Sequence, residues 1–374
     1  PTSPAARRSF IVRRGRPVPV PEGLYLMAPV RLGAFCASPI VSWRAKLRMA
    51  CEPWVPARRG SEDESVASFV RRRFGREALQ RVGQPMIGGI YAGDLDRLSL
   101  EATLPRFRQL ERRHGSVIRG LQRAGRSGGA ARASGPRYGL FVSLRHGLKT
   151  LVEALRARLP DGALHTGARV AAIERAPMRV RLHDGRALEA DSVCVAMSAP
   201  RAAALLQTAA PALAQQLGGI RYEAVATVNL GFLEQDVPDG LRGAGLVVPA
   251  VERRAMIGCS FSSLKFPERA PAGGWLVRAF VGGALHRDVL AHDDTALVRV
   301  VQEELRALLG VTAAPRCALV SRHPESMPQY DLGHLGRVAA IEEEARAWRG
   351  LQLLGNGFRG LGVPDCIWRA AWHW

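Results

Sequence analysis

Nothing in this chain approaches 18 consecutive apolar residues, the length a helix needs to cross a bilayer, and no segment has the layout of a secretory leader. Both absences argue against a membrane span. Lysine is nearly missing. It occurs at Lys46, Lys149 and Lys265 alone, so the net charge of +20 rests on arginine. A bias that favours one cation over the other fits the base composition of a gene better than selection for a polyanion. The arginines are also spread along the chain and interleaved with acids, where a nucleic-acid surface would gather them in a stripe or a recognisable module. Nucleic acid is therefore not an expected partner; a basic face against anionic lipid is the better reading. The six cysteines show no C-x-x-C and no cysteine–histidine ligand spacing, and read as small buried residues of a reducing compartment. No triad, metal cluster or carboxylate pair stands out. No strand–G-x-G-x-x-G–helix occurs either, since the glycines of Gly88–Gly93 are wrongly spaced.

At 374 residues and 47% hydrophobic, the chain exceeds one domain and has ample apolar material for two or three lobes. Phe10–Val20 reads as a hairpin about Arg14-Gly15. Ser61–Gln84 reads as a helix opening on Glu62, Asp63 and Glu64, acids that suit the positive end of a helix dipole, and Leu98–Leu121 as a second amphipathic helical region. Gly125–Gly135 reads as a flexible loop. A helix over Leu148–Leu159 precedes three strands, Ala168–Arg175, Met178–His183 and Ser192–Met197, the last after a reversal at Asp184-Gly185. Ala199–Leu217 is helical. Strands follow at Ala224–Phe232, Gly245–Val248, Ala255–Phe261 and Trp275–Gly282, then a helix over Asp293–Leu309. The run Glu342-Glu343-Glu344 reads as a solvated helix face, and His146 as a structural histidine.

The closing stretch is the most telling. Leu351–Leu354 reads as a buried strand that breaks into a turn carrying Gly355, Gly357, Gly360 and Gly362, then restarts as a helix after Pro364. Such glycines let backbone N–H groups approach a ligand, and the next helix points its positive end back at the turn. This pattern, G-N-x-x-x-G-x-G-V-P-D-C-I, resembles the C-terminal flavin-contacting turn of protoporphyrinogen oxidases, within the amine-oxidase-like FAD enzymes. Gly60–Gly93 and Gly139–Leu159, with its T-L-V-E-A-L helix, resemble the same family in the same order.

The resemblance implies a mixed α/β fold: a two-domain FAD-oxidoreductase of the amine-oxidase/p-hydroxybenzoate-hydroxylase type with an inserted helical membrane-binding lobe. It implies a substrate domain from residues 1–20, 138–149 and 200–340, a helical membrane-associated lobe at 21–137, and a partial FAD domain from 150–199 and 341–374. The family's N-terminal βαβ fingerprint is not present, so the chain reads as a fragment. The implied flavin contacts are Val170, Gly355, Asn356, Leu361, Gly362 and Val363. The implied substrate contacts are Phe280 against a pyrrole ring, Val247 sandwiching the macrocycle, Gly89 leaving it room, and Arg8 pairing a propionate. Arg8 stands one place off, in Arg8-Ser9-Phe10, and Ser260 replaces a common pocket leucine.

The implied reaction is oxygen-dependent oxidation of protoporphyrinogen IX through FAD in heme biosynthesis. No side chain is expected to act as a catalytic acid or base, because the cofactor carries the chemistry. Coproporphyrinogen III as substrate, another flavin oxidoreductase on the same scaffold, and a non-catalytic remnant are the alternatives. Dioxygen and a membrane surface are the further implied partners, with a homodimer left open, and the implied location is cytoplasmic, at the inner face of the cell membrane.

Overall fold

The structure is a computed structural model and describes residues 3, 8–126, 142–238, 242–266 and 268–371. The elements in chain order begin with β1 (Ser9–Arg13), β2 (Arg16–Pro19), β3 (Leu24–Tyr25), β4 (Ala28–Pro29), α1 (Leu32–Ala37) and α2 (Trp43–Ala50). A helical run follows: α3 (Val66–Phe74), α4 (Arg76–Ala78), α5 (Gln84–Tyr91), α6 (Leu100–Thr103), α7 (Pro105–His114) and α8 (Val117–Arg126). After α9 (Lys149–Arg156) come β5 (Val170–Arg175), β6 (Met178–Leu182), β7 (Ala187–Glu189), β8 (Val193–Ala196), α10 (Ala199–Leu206) and α11 (Pro211–Gly218). The rest are β9 (Tyr222–Leu233), β10 (Gly245–Val247), β11 (Met256–Phe261), α12 (Ser262–Lys265), β12 (Gly274–Gly282), α13 (Asp294–Leu309), β13 (Cys317–Pro328), α14 (His334–Ala347), β14 (Leu351–Leu354) and α15 (Val363–Ala371). They divide into two compact units. One contains Pro1–Leu100, Leu104–Arg145 and Glu223–Met327; the other contains Glu101–Thr103, His146–Tyr222 and Pro328–Trp374.

The first unit is built on a seven-stranded sheet of order β13-β9-β12-β11-β10-β1-β2. The β1–β10 pair is parallel, and the β1–β2, β10–β11, β11–β12 and β12–β9 pairs are antiparallel. Side chains alternate across a pleated strand, so an apolar residue at every second place defines a buried face. In β12 that set is Trp275, Val277, Ala279 and Val281, all buried. They pack with Val228, Leu246 and Phe261 against Leu297, Val301 and Leu305 of α13. Asp293 caps α13 by accepting from the Ala296 amide at 2.7 Å, and Gly310 ends it in the left-handed region. The four strands expected from Ala224 to Gly282 are present as β9 to β12, and the hairpin turns on Arg14 and Gly15, both at positive φ.

The helical part of this unit differs from expectation. The helix expected over Ser61–Gln84 begins only at Val66, where Ser65 accepts from the Ser68 amide at 3.1 Å. Gly75, at φ 96°, ends α3. The acids therefore precede the helix instead of filling its first turn. Glu64 is buried and binds Arg72 at 2.9 Å. The Leu98–Leu121 region is divided among α6, α7 and α8, because Pro105 starts a helix and Gly115 ends one. Gly125 ends up inside α8, and the remainder of the expected Gly125–Gly135 loop lies outside the described residues, apart from the backbone of Arg126.

These helices enclose a charge cluster of six residues: Arg72, Arg73 and Arg108 against Glu52, Glu64 and Glu111. Arg73 is fully buried and donates to Glu52, to the Val55 carbonyl at 2.8 Å and to the Gly115 carbonyl at 2.9 Å. Glu52 also accepts from the Val117 and Ile118 amides at 2.9 and 3.2 Å, which caps the start of α8. Buried ions persist only when each is paired and hydrogen-bonded, which holds here.

The second unit holds the β5-β6-β7 meander and a parallel pair, β14 with β8. The strand expected over Ser192–Met197 is not the third meander strand. Asp184-Gly185 turns the chain into exposed Ala187–Glu189, while Val195 is apolar and buried and so runs through the core beside β14. Its core joins Ile173, Val195, Leu206, Leu217, Val338, Trp348, Leu351 and Phe358. The helix expected over Ala199–Leu217 breaks in two before Pro211. The cysteines also depart from expectation: Cys259 alone is buried, Cys36 and Cys366 are half-buried, and Cys51, Cys194 and Cys317 are exposed.

Glu52→Ala should lower stability by about 3–5 kcal/mol, because it strands the Arg73 charge; urea unfolding measures it. Burial raises the Glu111 pKa, but hydrogen bonding and charge from Arg72, then the charge of Arg73, outweigh it and hold the carboxyl below its ordinary 4.5. The unfolded chain therefore binds that proton more readily. The stabilisation from Glu111 is complete above pH 4.5 and is lost as pH falls through the depressed folded value, which acid titrations of wild type and Glu111→Gln compare.

Candidate functional site

Two surfaces concern function, one in each unit. In the second unit, β8 and β14 run parallel, with Leu354 opposite Ala196, so both carboxyl ends open on the same side. Ligands of open α/β sheets lie across such ends. Gly355 follows β14 at φ 141°, and a Cβ there would stand 3.0 Å from the Met197 carbonyl oxygen. Gly357 has no room either, since its Cβ would meet the Tyr222 hydroxyl. That hydroxyl accepts from the Ala199 amide at 3.2 Å.

The turn is anchored from behind. Tyr330 donates to the Asn356 carbonyl at 2.6 Å, and His334 Nε2 lies 2.8 Å from the Phe358 carbonyl. A carbonyl can only accept, so Nε2 carries the proton. The two rings stack with centroids 4.1 Å apart. Burial depresses the His334 pKa, keeping the ring neutral. Glu342 binds Arg359 at 3.2 Å and Arg369 at 2.8 Å, tying both the turn and α15 to α14. Burial works to raise the Glu342 pKa, but hydrogen bonds from Arg359 and Arg369 prevail and hold it low. The acidic run read as a solvated face is thus solvated at Glu343 and engaged at Glu342.

Of the expected flavin residues, Gly355, Asn356, Leu361 and Gly362 are half-buried along this turn and Val363 is exposed at the head of α15. The Gly362 amide donates to Asp365 at 3.2 Å, the reach-back contact of a capping box, so that donor is already engaged. Val170 stands at the first residue of β5, opposite Leu182. Its strand shares a core with the turn through Ile173, Leu351 and Phe358. A flavin fits this arrangement. The backbone at the strand ends has no room for side chains, and buried Ser198 Oγ has no partner among the described residues.

In the first unit, the sheet face opposite α13 is open at Arg278 and Phe280 of β12, while α5 packs over β10 beside Val247. Its rows run across the strands in register. Val247 lies opposite Gly258, Gly258 opposite Phe280 and Phe280 opposite Thr227. One step along, Gly245, Ser260, Arg278 and Asn229 form the next row. The structure thus brings Val247 and Phe280 together on one face, and Phe280 is 37% exposed. Gly89 belongs with them: a Cβ there would stand 3.8 Å from Val247. It sits in the helix α5, not in a turn as its glycine-rich surroundings imply.

Arg8 does not join this group. Alternation gives it the parity of Phe10 and Val12, which pack on the α13 side, and its carbonyl accepts from the Ala244 amide at 2.7 Å. Arg278, missed in the sequence, is on the open face instead. The signal was the Arg278-Ala279-Phe280 alternation around a residue already singled out. A separate cavity of about 460 Å³ beside α5, lined by Arg71, Gln80, Gln84 and Asp94 among others, touches none of these residues. Among the described residues no group of three or more His, Cys, Asp or Glu could hold a metal.

A model of the flavin containing amine oxidoreductases matches residues 2–367, so the chain belongs to that family. The protein is a flavin-dependent oxidoreductase with FAD as its cofactor. It is 33% identical over 367 residues to the coproporphyrinogen III oxidase of Bacillus subtilis (strain 168), covering 97% of this chain and 77% of that protein. It is 32% identical over 390 residues to the protoporphyrinogen oxidase of Macaca fascicularis, with 97% and 77% covered. A crystal structure of an Exiguobacterium sp. 255-15 protein, provisionally assigned as a protoporphyrinogen oxidase, superimposes with a TM-score of 0.84 at 28% identity, covering 100% of this chain and 79% of the other. The expected mixed α/β, amine-oxidase-like fold is borne out.

Gly355→Ala should destabilise the second unit by about 1–3 kcal/mol and lower the flavin content of purified protein, read from visible absorbance. A depressed histidine pKa means the unfolded chain takes up the proton first. Wild type should therefore lose stability relative to His334→Gln as pH falls below 6.5, the ordinary value, and not above it.

Proposed function

We propose that this flavoprotein oxidises a porphyrinogen to the porphyrin, a late step of heme biosynthesis. The observation that carries the reading is the open sheet face: an exposed phenylalanine and a half-buried valine in one row, with Gly258 between them and Gly89 above. Such a surface is flat and apolar enough for a tetrapyrrole. In this reading Val247 and Phe280 hold the ring system, and Gly89 leaves it space. Val170, Gly355, Asn356, Leu361, Gly362 and Val363 hold the flavin largely through backbone, and the first unit serves substrate while the second serves cofactor. When bound, FAD supplies the hydride-accepting ring, and we take dioxygen as the terminal electron acceptor. The protein's own part is to bind, orient and exclude water.

Two substrates remain in view. Similarity to the Bacillus enzyme favours coproporphyrinogen III, and similarity to the Macaca enzyme favours protoporphyrinogen IX. Full-length chain with FAD, given each porphyrinogen under air, should develop porphyrin fluorescence faster than a protein-free control. Retention of no flavin and no acceleration with either substrate would support a non-catalytic remnant instead. Phe280→Ala should cost roughly tenfold in kcat/KM through lost ring contact, mostly in KM.

We also propose peripheral attachment to the cytoplasmic face of a membrane, although not through the helix expected at Ser61–Gln84. Most of α3 is buried, including Phe69, Val70 and Phe74, so it has no apolar face left for lipid. The neighbouring α2 exposes Trp43 and Leu47, four residues apart, and Trp54 follows at 74% exposed. Arg44 and Arg48 flank them in sequence. Among the described residues no helix is long and apolar enough to span a bilayer. Trp43→Ala with Trp54→Ala should reduce co-sedimentation with anionic vesicles severalfold; unchanged sedimentation would remove α2 as the contact.

A further inference from the structure

Several arginines of this unit are paired with acids: Arg81 with Glu252, Arg254 with Glu304, Arg287 with Glu223. Arg278 is different. It is exposed on the face that carries Phe280, two residues away on the same strand and therefore pointing to the same side. Its Nε donates to the Asn229 side-chain oxygen at 2.8 Å, and the Asn229 amide in turn donates to the Leu319 carbonyl at 3.4 Å. Asn229 is its cross-strand neighbour on one side and Ser260 on the other, where the Ser260 hydroxyl donates to the Ala244 carbonyl at 3.3 Å. Among the described residues no carboxylate lies within ion-pair distance of Arg278, and neither terminal nitrogen has a partner. A guanidinium held at Nε by a neutral amide, with its outer edge open, is arranged to receive a planar two-oxygen anion.

We propose that Arg278, positioned by Asn229, is the substrate-binding residue that pairs a propionate carboxylate at the rim of the tetrapyrrole whose ring lies on Phe280 and Val247. This rests on the porphyrinogen reading and deepens it. It assigns to Arg278 the role expected of Arg8, whose strand parity takes it off this face. It also makes the carboxylate a determinant of specificity, because a ring system lacking the acid would leave the open edge of the guanidinium without a partner.

The test needs no turnover. Fluorescence titration of the full-length, FAD-loaded chain measures binding of coproporphyrin III and of its tetramethyl ester, which has the same ring without the anions. Wild type should prefer the free acid by on the order of tenfold or more. Arg278→Gln should lose that preference by weakening the acid while leaving ester binding within about twofold. Arg278→Lys should recover only part of it, since a point charge cannot form the two-bond pair. Asn229→Ala should reduce the preference less than Arg278→Gln does. If Arg278→Gln keeps the full preference for the acid, the assignment of Arg278 is wrong while porphyrin binding stands. If wild type binds neither acid nor ester, the porphyrinogen reading fails and the assignment fails with it. Circular dichroism of each variant checks the fold, which an exposed side chain in a packed sheet should leave intact.

Discussion

Strand alternation in the seven-stranded sheet is the constraint on which the first unit depends. Once Trp275, Val277, Ala279 and Val281 are committed to the core against α13, the residues between them have no choice of side. A slip of one residue would bury Arg278 and Phe280 and expose four apolar groups, at about 1.5–3 kcal/mol for each large side chain. The register is thus fixed by the core, and the chemistry of the open face follows from it. Val247 and Phe280 lie two strands apart, with β11 between them, yet fall in one row because both pair with Gly258.

A different logic governs the closing turn of the second unit. Its glycines leave the backbone close to other backbone and would make it loose by themselves. Tyr330, His334 and Glu342 remove that freedom from the side away from the strand ends, through two carbonyls and two arginines. The result is a turn whose shape is set before any ligand arrives, the arrangement that minimises ordering cost on binding. Asp365 completes it by accepting from the amide of Gly362, the residue that precedes the last helix. Part of the helix dipole is therefore answered within the chain, and less of it is left for an anionic cofactor.

Charge divides along similar lines. An excess of arginine says little about partners when so many arginines have internal acids. Three arginines and three glutamates neutralise one another among the helices, where burial makes pairing obligatory. What distinguishes Arg278 is its surroundings, not its type.

Local sequence was sufficient for the strands β9 to β12, the hairpin at Arg14-Gly15, α13 and the glycine turn, because alternation, turn residues and helical spacing are all short-range signals. It also carried the family, since the turn motif and the T-L-V-E-A-L helix are local strings. It failed where a long-range choice decided. The start of α3, the third meander strand and the exposure of the cysteines each depend on which neighbour supplies burial. Val247 and Phe280 could be named singly from the sequence. That they share a face with Gly89 and Arg278, and that Arg8 does not, is a matter of cross-strand register, which pairs residues of different strands and has no signature within either strand alone.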